Sequence, residues 1–176
     1  MSDSSPREAL NPSIVASVDL GAIALWMGGL ATLGAIVAPT VFRVVAAPAN
    51  ADAMTTVFRR FDTLALACAV VALACEVGLR ARQTSKPRED LARLLSIAGA
   101  AGVAVLEALW LSPGIDALHK AGAVRRIGAA GEVLERLHRV AESFAKLELL
   151  LLALVLVLVV RRVARRSTLA HSVRGE

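Results

Sequence analysis

Three acidic residues of this 176-residue chain, Glu76, Glu107 and Glu148, sit inside stretches that are otherwise apolar. A carboxylate among Ala, Val and Leu is costly to keep, so it marks proton or cation chemistry unless a hydrogen bond or an ion pair accounts for it. Glu107 and Glu148 carry the stronger functional expectation, because two carboxyls facing each other from adjacent helices share a proton or hold a cation. The plainer alternative pairs Glu148 with Lys146, or lets it reach toward an interface, and gives Glu107 a hydrogen bond to a neighbouring helix. Glu76 has Arg80 four residues on, which is ion-pair spacing on one helix face, and Asp19 also reads as structural.

A second set comprises His119, His138 and Glu142. Two imidazoles and a carboxylate suit zinc or copper, and imidazoles also ligate haem iron. No tight ligand spacing such as His-x-x-x-His occurs, and a surface His on an amphipathic helix is the commoner case. Cys68 and Cys75 are seven apart on one face and read as small buried hydrophobes, with a soft-metal relay as the remote alternative. The chain contains no Gly-rich phosphate loop, no Gly-x-Ser-x-Gly and no zinc-protease motif. The expectation is therefore a non-enzymatic protein without a required cofactor, either an assembly partner or a handler of small solutes or cations through Glu107 and Glu148. The alternative is a metal or haem protein using His119 and His138.

The elements that must position these residues follow from composition. The chain is 56% apolar and lacks Tyr, and its mean hydropathy is +0.63. That apolar share exceeds the globular norm of roughly 45–50%, and it consists mainly of Ala, Val and Leu, which favour helices over a sandwich. The fold class expected is all-α: an integral membrane bundle of four transmembrane helices, with amphipathic segments ahead of helices 2 and 4. The spans are expected at about 18–42, 62–80, 92–111 and 143–161. Residues 1–11 read as a disordered leader, residues 12–166 as the transmembrane domain and residues 167–176 as a basic tail. Residues 20–42 carry no charge, enough to cross about 30 Å of hydrocarbon, and the run is too long and its leader too little basic for a signal peptide.

Helix signals punctuate these spans. Asn11-Pro12 is a good start, Pro39 should kink or end the first helix, and Asn50 should cap the second, with Asp52 in its first turn. Residues 83–87 read as a turn with Pro87 opening the third helix, which Ser112-Pro113 should close. A short amphipathic piece over residues 115–127 should then end at Gly128 and Gly131. The fourth helix is expected over 132–166, its first half carrying Glu132–Arg136, Glu135–Arg139 and Glu142–Lys146 at favourable spacing.

The two halves resemble each other loosely. Ala24-Leu25-Trp26 precedes Pro39 and Phe58-Arg-Arg-Phe-Asp62, as Ala108-Leu109-Trp110 precedes Pro113 and Leu134-Glu-Arg-Leu-His138, so they read as parallel-repeat helix pairs. Ala24-xxx-Gly28 and Ala98-xxx-Gly102 are small-xxx-small pairs, which predicts that helices 1 and 3 pack centrally while the Leu/Val-rich helix 4 faces lipid. Basic residues number eleven on the side of the termini and nine on the other, predicting both termini in the cytoplasm. Charge in short blocks beside apolar runs is an anchor pattern, not a nucleic-acid footprint, so the expected partners are the lipid bilayer and a second copy or another membrane protein.

At Ala24-Leu25-Trp26-Met27-Gly28-Gly29 and Ala38-Pro39-Thr40-Val41-Phe42-Arg43, the chain resembles a bacterial four-helix membrane family catalogued as domain of unknown function 4149. That family is similar in turn to the transmembrane-protein-205 group, and at fold level to copper-resistance D-type membrane proteins. Phe58-Arg-Arg-Phe61 and Leu137-His138-Arg139 fit the same resemblance, which covers roughly residues 14–165. It implies a bacterial inner-membrane location and singles out Trp26, Gly28, Gly29, Pro39, Phe42 and His138. It implies no particular activity. Where the family pattern leads one to expect a polar Asn after the Leu-His-Arg element, this chain reads Glu142-Ser143-Phe144-Ala145-Lys146, which puts a site built on that Asn in doubt.

Overall fold

The computed structural model describes residues 11–81 and 88–172, without the side chains of residue 12 and of residues 162–172. The expected leader, the turn at residues 83–87 and the side chains of the basic tail lie outside the described residues. The described helices are α1 (Pro12–Thr32), α2 (Ala38–Val44), α3 (Ala49–Ala81), α4 (Arg88–Leu106), α5 (Ser112–Lys120) and α6 (Gly128–Ser172). Two five-residue π segments, Leu33–Val37 and Glu107–Leu111, join α1 to α2 and α4 to α5. The result is four helices long and apolar enough to cross a membrane, Ser13–Val44, Ala49–Ala81, Arg88–Lys120 and Gly128–Arg161. The chain is a multi-pass membrane protein, all-α among the described residues.

Local chemistry explains these boundaries. Asn11 Oδ1 accepts from the Ser13 N–H at 3.0 Å, satisfying an orphan donor ahead of Pro12, as the sequence predicts. Asn50 does not cap the second span, which already starts at Ala49. Neither Pro39 nor Ser112-Pro113 ends a helix. The chain instead widens for one turn before each proline, with the Ala38 N–H bonding to the Leu33 carbonyl and the Ser112 N–H to the Glu107 carbonyl. Each proline then sits in the first turn of the next helix, where no amide donor is needed, so its clash is absorbed without breaking the span. The third span therefore runs on to Lys120, and the fourth begins at Gly128 instead of 132 and extends to Ser172.

The same sequence distance separates Leu33 from Glu107 and Pro39 from Pro113, so each π segment and the proline after it stand at matching places in the first and third spans. The register is not the one the tryptophans suggest. Trp26 is fully buried, whereas Trp110 is 60% exposed.

Each span packs on its chain neighbours and the fourth closes back on the first, leaving the first and third diagonal to one another. This overturns the expectation that helices 1 and 3 pack on each other at the centre, whereas the fourth span is the least buried of the four, as expected of a lipid-facing helix. Ala24, Gly28, Ala98 and Gly102 are exposed, and a Cβ built at Gly28 or Gly102 meets nothing within 4 Å. The inner seam of the first span is Asp19, Ile23, Trp26, Leu30 and Leu33, the alternating four- and three-residue spacing of knobs-into-holes packing. The fourth span supplies Leu134, Glu148, Leu152 and Val155, all buried. Close approach occurs one residue beyond the expected motif, at Gly29, where an added Cβ would stand 2.6 Å from Phe61 Cε2.

Candidate functional site

Four polar groups, one from each span, converge inside the bundle: Trp26, Asp62, Glu107 and Glu148. Trp26 occupies the inner seam of α1, so its indole N–H points across to α6 and donates to Glu148 Oε2 at 3.1 Å. Glu148 is 1% exposed, and its other oxygen has no hydrogen-bond partner among the described residues. This corrects both readings of Glu148 as a partner of Lys146 and as an interfacial residue. Lys146 is directed instead to Glu142, 4.0 Å away. Asp62, on α3, accepts from Ser112 Oγ at 2.6 Å, and Ser112 is placed there by the π segment before it. Glu107 opens that π segment and lies near enough to Glu148 and Asp62 for all three to interact electrostatically. No basic residue among the described ones pairs with Glu107 or Glu148.

A cavity of about 860 Å³ joins this layer to the end of the bundle that holds α5. Asp62 and Glu107 line its deep part, Leu30, Met54, Phe58, Phe61 and Leu111 its walls, and His119, His138 and Glu142 the region next to the α5–α6 connection. Arg125 and Lys146 also line that outer region. Of the residues singled out by resemblance, Trp26 holds Glu148, Gly29 seats Phe61, Phe42 lines the cavity, Pro39 follows the first π segment and His138 lies by the outer region. Gly28 faces outward.

The two histidines, nineteen positions apart in sequence, are brought together with ring centroids 5.8 Å apart. His138 Nδ1 stands 2.9 Å from the Leu134 carbonyl, and His119 Nδ1 stands 3.3 Å from Thr55 Oγ1. Glu142 lines the same cavity but does not complete a cluster of three ligating side chains with them; the described residues hold none. Glu135, expected to pair along its own helix with Arg139, is taken by Arg125 at 2.9 Å and Arg126 at 3.2 Å, tying the connection to α6. Cys68 is buried in the core and Cys75 half-buried, both as free thiols.

At the opposite end of the bundle lies a second buried cluster. The Arg93 guanidinium pairs with Asp19 and, at 2.8 Å, with Glu76, and all three are almost fully buried. Glu76 is thus bridged to the third span and not to Arg80, whose guanidinium donates to the Asp90 carbonyl at 3.3 Å. Arg93 is not among the residues that the sequence analysis singles out. Its spacing from Asp90, Ile97, Ala100 and Ala104 is the same inner-seam pattern, and that signal was present in the sequence.

Comparison with curated proteins and with solved structures finds no match. A family match covers residues 21–124, which include Trp26, Asp62, Glu107 and His119 and stop short of His138 and Glu148. Since that match spans more than half of the chain, and the four long apolar helices fit the fold expected from the resemblance, the chain belongs to the family described as Domain of unknown function (DUF4149).

Proposed function

We propose that this protein is a non-enzymatic membrane module that binds and handles a small organic cation in the cavity between its spans. The observation that carries this reading is the cavity itself: mostly apolar walls leading to Asp62 and Glu107, with no base among the described residues pairing Glu107. Acids held in an apolar bundle without a base are costly, and a bound cation or a proton relieves that cost. A bare ion would need no greasy walls, whereas a cavity of this volume is in the range for small-molecule sites, apolar with a few convergent polar groups. In a bacterial inner membrane with both termini cytoplasmic, the cavity faces outward and the Asp19–Arg93–Glu76 cluster seals the cytoplasmic end.

The test is binding of tetraphenylphosphonium to detergent-purified protein, with tetraphenylborate as an isosteric anion. Saturable binding of the cation alone is expected, weakened at least tenfold by Glu107→Gln and by Asp62→Asn. Equal binding of both probes, or cation binding untouched by both substitutions, would overturn the reading.

A further inference from the structure

We infer that His119 and His138 form a transition-metal site at the outer region of the cavity, with one Nε2 from each ring as ligand. The hydrogen bonds around the pair determine which nitrogen is free. Thr55 Oγ1 spends its proton on the Ala51 carbonyl at 2.9 Å, so toward His119 it acts as an acceptor, and the proton between them belongs to His119 Nδ1. The Leu134 carbonyl is an acceptor only, so His138 also carries its proton on Nδ1. Both imidazoles are therefore held as the tautomer whose lone pair is on Nε2. Anchoring the far nitrogen of each ring to a carbonyl or hydroxyl is how proteins orient metal-ligating histidines.

The spacing fits one shared ion. Metal–nitrogen bonds of about 2.0–2.1 Å, plus the radius of each ring, place two imidazole centroids on the order of 5–6 Å apart. The observed separation is 5.8 Å. Two imidazoles without a thiolate suit a borderline divalent ion such as Zn²⁺, with the remaining positions left to water or to a solute in the cavity. The guanidinium of Arg125 lies near His138 and opposes a cation, and is itself paired with Glu135, while Asp116 near His119 is shared with Arg59 and Lys120. The pair joins the third span to the fourth, so a bound ion would also pin the α5 end of the bundle.

The experiment uses full-length protein with its purification tag removed, stripped with chelator and titrated with Co²⁺, whose visible absorption reports nitrogen ligation, followed by Zn²⁺ competition. One ion per chain is expected, with the signal lost in His119→Ala and in His138→Ala. Thr55→Val leaves both rings in place and removes only the acceptor for His119, so it should weaken binding roughly 10- to 100-fold. Absence of binding in the unsubstituted protein, or undiminished binding in the double alanine variant, would overturn the inference. Tetraphenylphosphonium binding measured on the same double variant should persist, so failure of the metal site and failure of the cation cavity are separable.

Discussion

The indole of Trp26 is the one hydrogen-bond donor that meets the Glu148 carboxyl among the described residues, so its removal is expected to be felt far beyond its packing. Trp26→Phe keeps most of the ring and strands the carboxyl, and an unsatisfied buried polar group costs about 1–3 kcal/mol. Thermal or denaturant unfolding in detergent should show that loss for Trp26→Phe, and Trp26→Phe with Glu148→Leu should regain most of it. Arg93 presents the sharper case. Removing one member of a buried ionic cluster typically costs about 3–5 kcal/mol, because the charges left behind have no compensation. Arg93→Met alone should be strongly destabilising, whereas Arg93→Met with Asp19→Asn and Glu76→Gln should recover much of the stability; equal destabilisation in both would show that the guanidinium packs and does not pair. Asp62, which follows the basic pair Arg59-Arg60, was not legible in the sequence, whereas Glu76, Glu107 and Glu148 were, because a carboxylate in an apolar run announces itself. Their partners were not, since Trp26 and Arg93 are joined to them only through tertiary packing, and local spacing offered the nearer but unused Lys146 and Arg80.

At the level of elements, the number and apolar character of the spans were written in the sequence, and their full lengths and order around the bundle were not. Small-xxx-small pairs say that close approach is permitted on a face, not that the face is used, and in an Ala-rich chain several faces qualify. The inward face is instead the bulky seam of Ile23, Trp26 and Leu30, where side chains interdigitate and the Trp26 indole meets the Glu148 carboxyl, a partner that lipid does not supply. The helix ends expected at the prolines are absent for a physical reason. A π turn supplies the slack that a proline needs, and it does so twice, carrying α2 and α5 on past the points where termination was expected. Cysteine cross-linking tests the arrangement directly. In a chain with Cys68 and Cys75 replaced by Ser, Gly99→Cys with Leu151→Cys should form an intramolecular disulfide, since a Cβ at position 99 lies 3.4 Å from Leu151 Cδ1. Gly28→Cys with Gly102→Cys should not, because both positions face outward on diagonal spans. The reverse outcome, read as mobility shifts on non-reducing gels, would restore helices 1 and 3 to the centre.

Across the whole molecule, the bundle is asymmetric along its axis: hollow toward the α5 end and closed by charge at the other. On the proposed function, alternating access would make this asymmetry one of two states, with the Asp19–Arg93–Glu76 cluster as the lock on its closed end. If the cluster is the lock, weakening it shifts population toward a state in which the α5 end closes, and an outward-facing reporter loses access. Ile115 lines the cavity and is half-buried, which makes Ile115→Cys in the cysteine-free chain a suitable reporter. A membrane-impermeant thiol reagent applied to intact cells should label it, and tetraphenylphosphonium should slow that labelling. Adding Arg93→Met with Asp19→Asn and Glu76→Gln, which removes the lock without leaving an unpaired buried charge, should lower the labelling rate several-fold. Labelling that occurs only in inverted vesicles would reverse the proposed orientation, in agreement or conflict with cysteines placed at Ser4 and Ser172, which that orientation makes inaccessible from outside. A rate unchanged by the triple substitution would make the cluster a static strut, since a lock whose removal moves no population holds nothing closed.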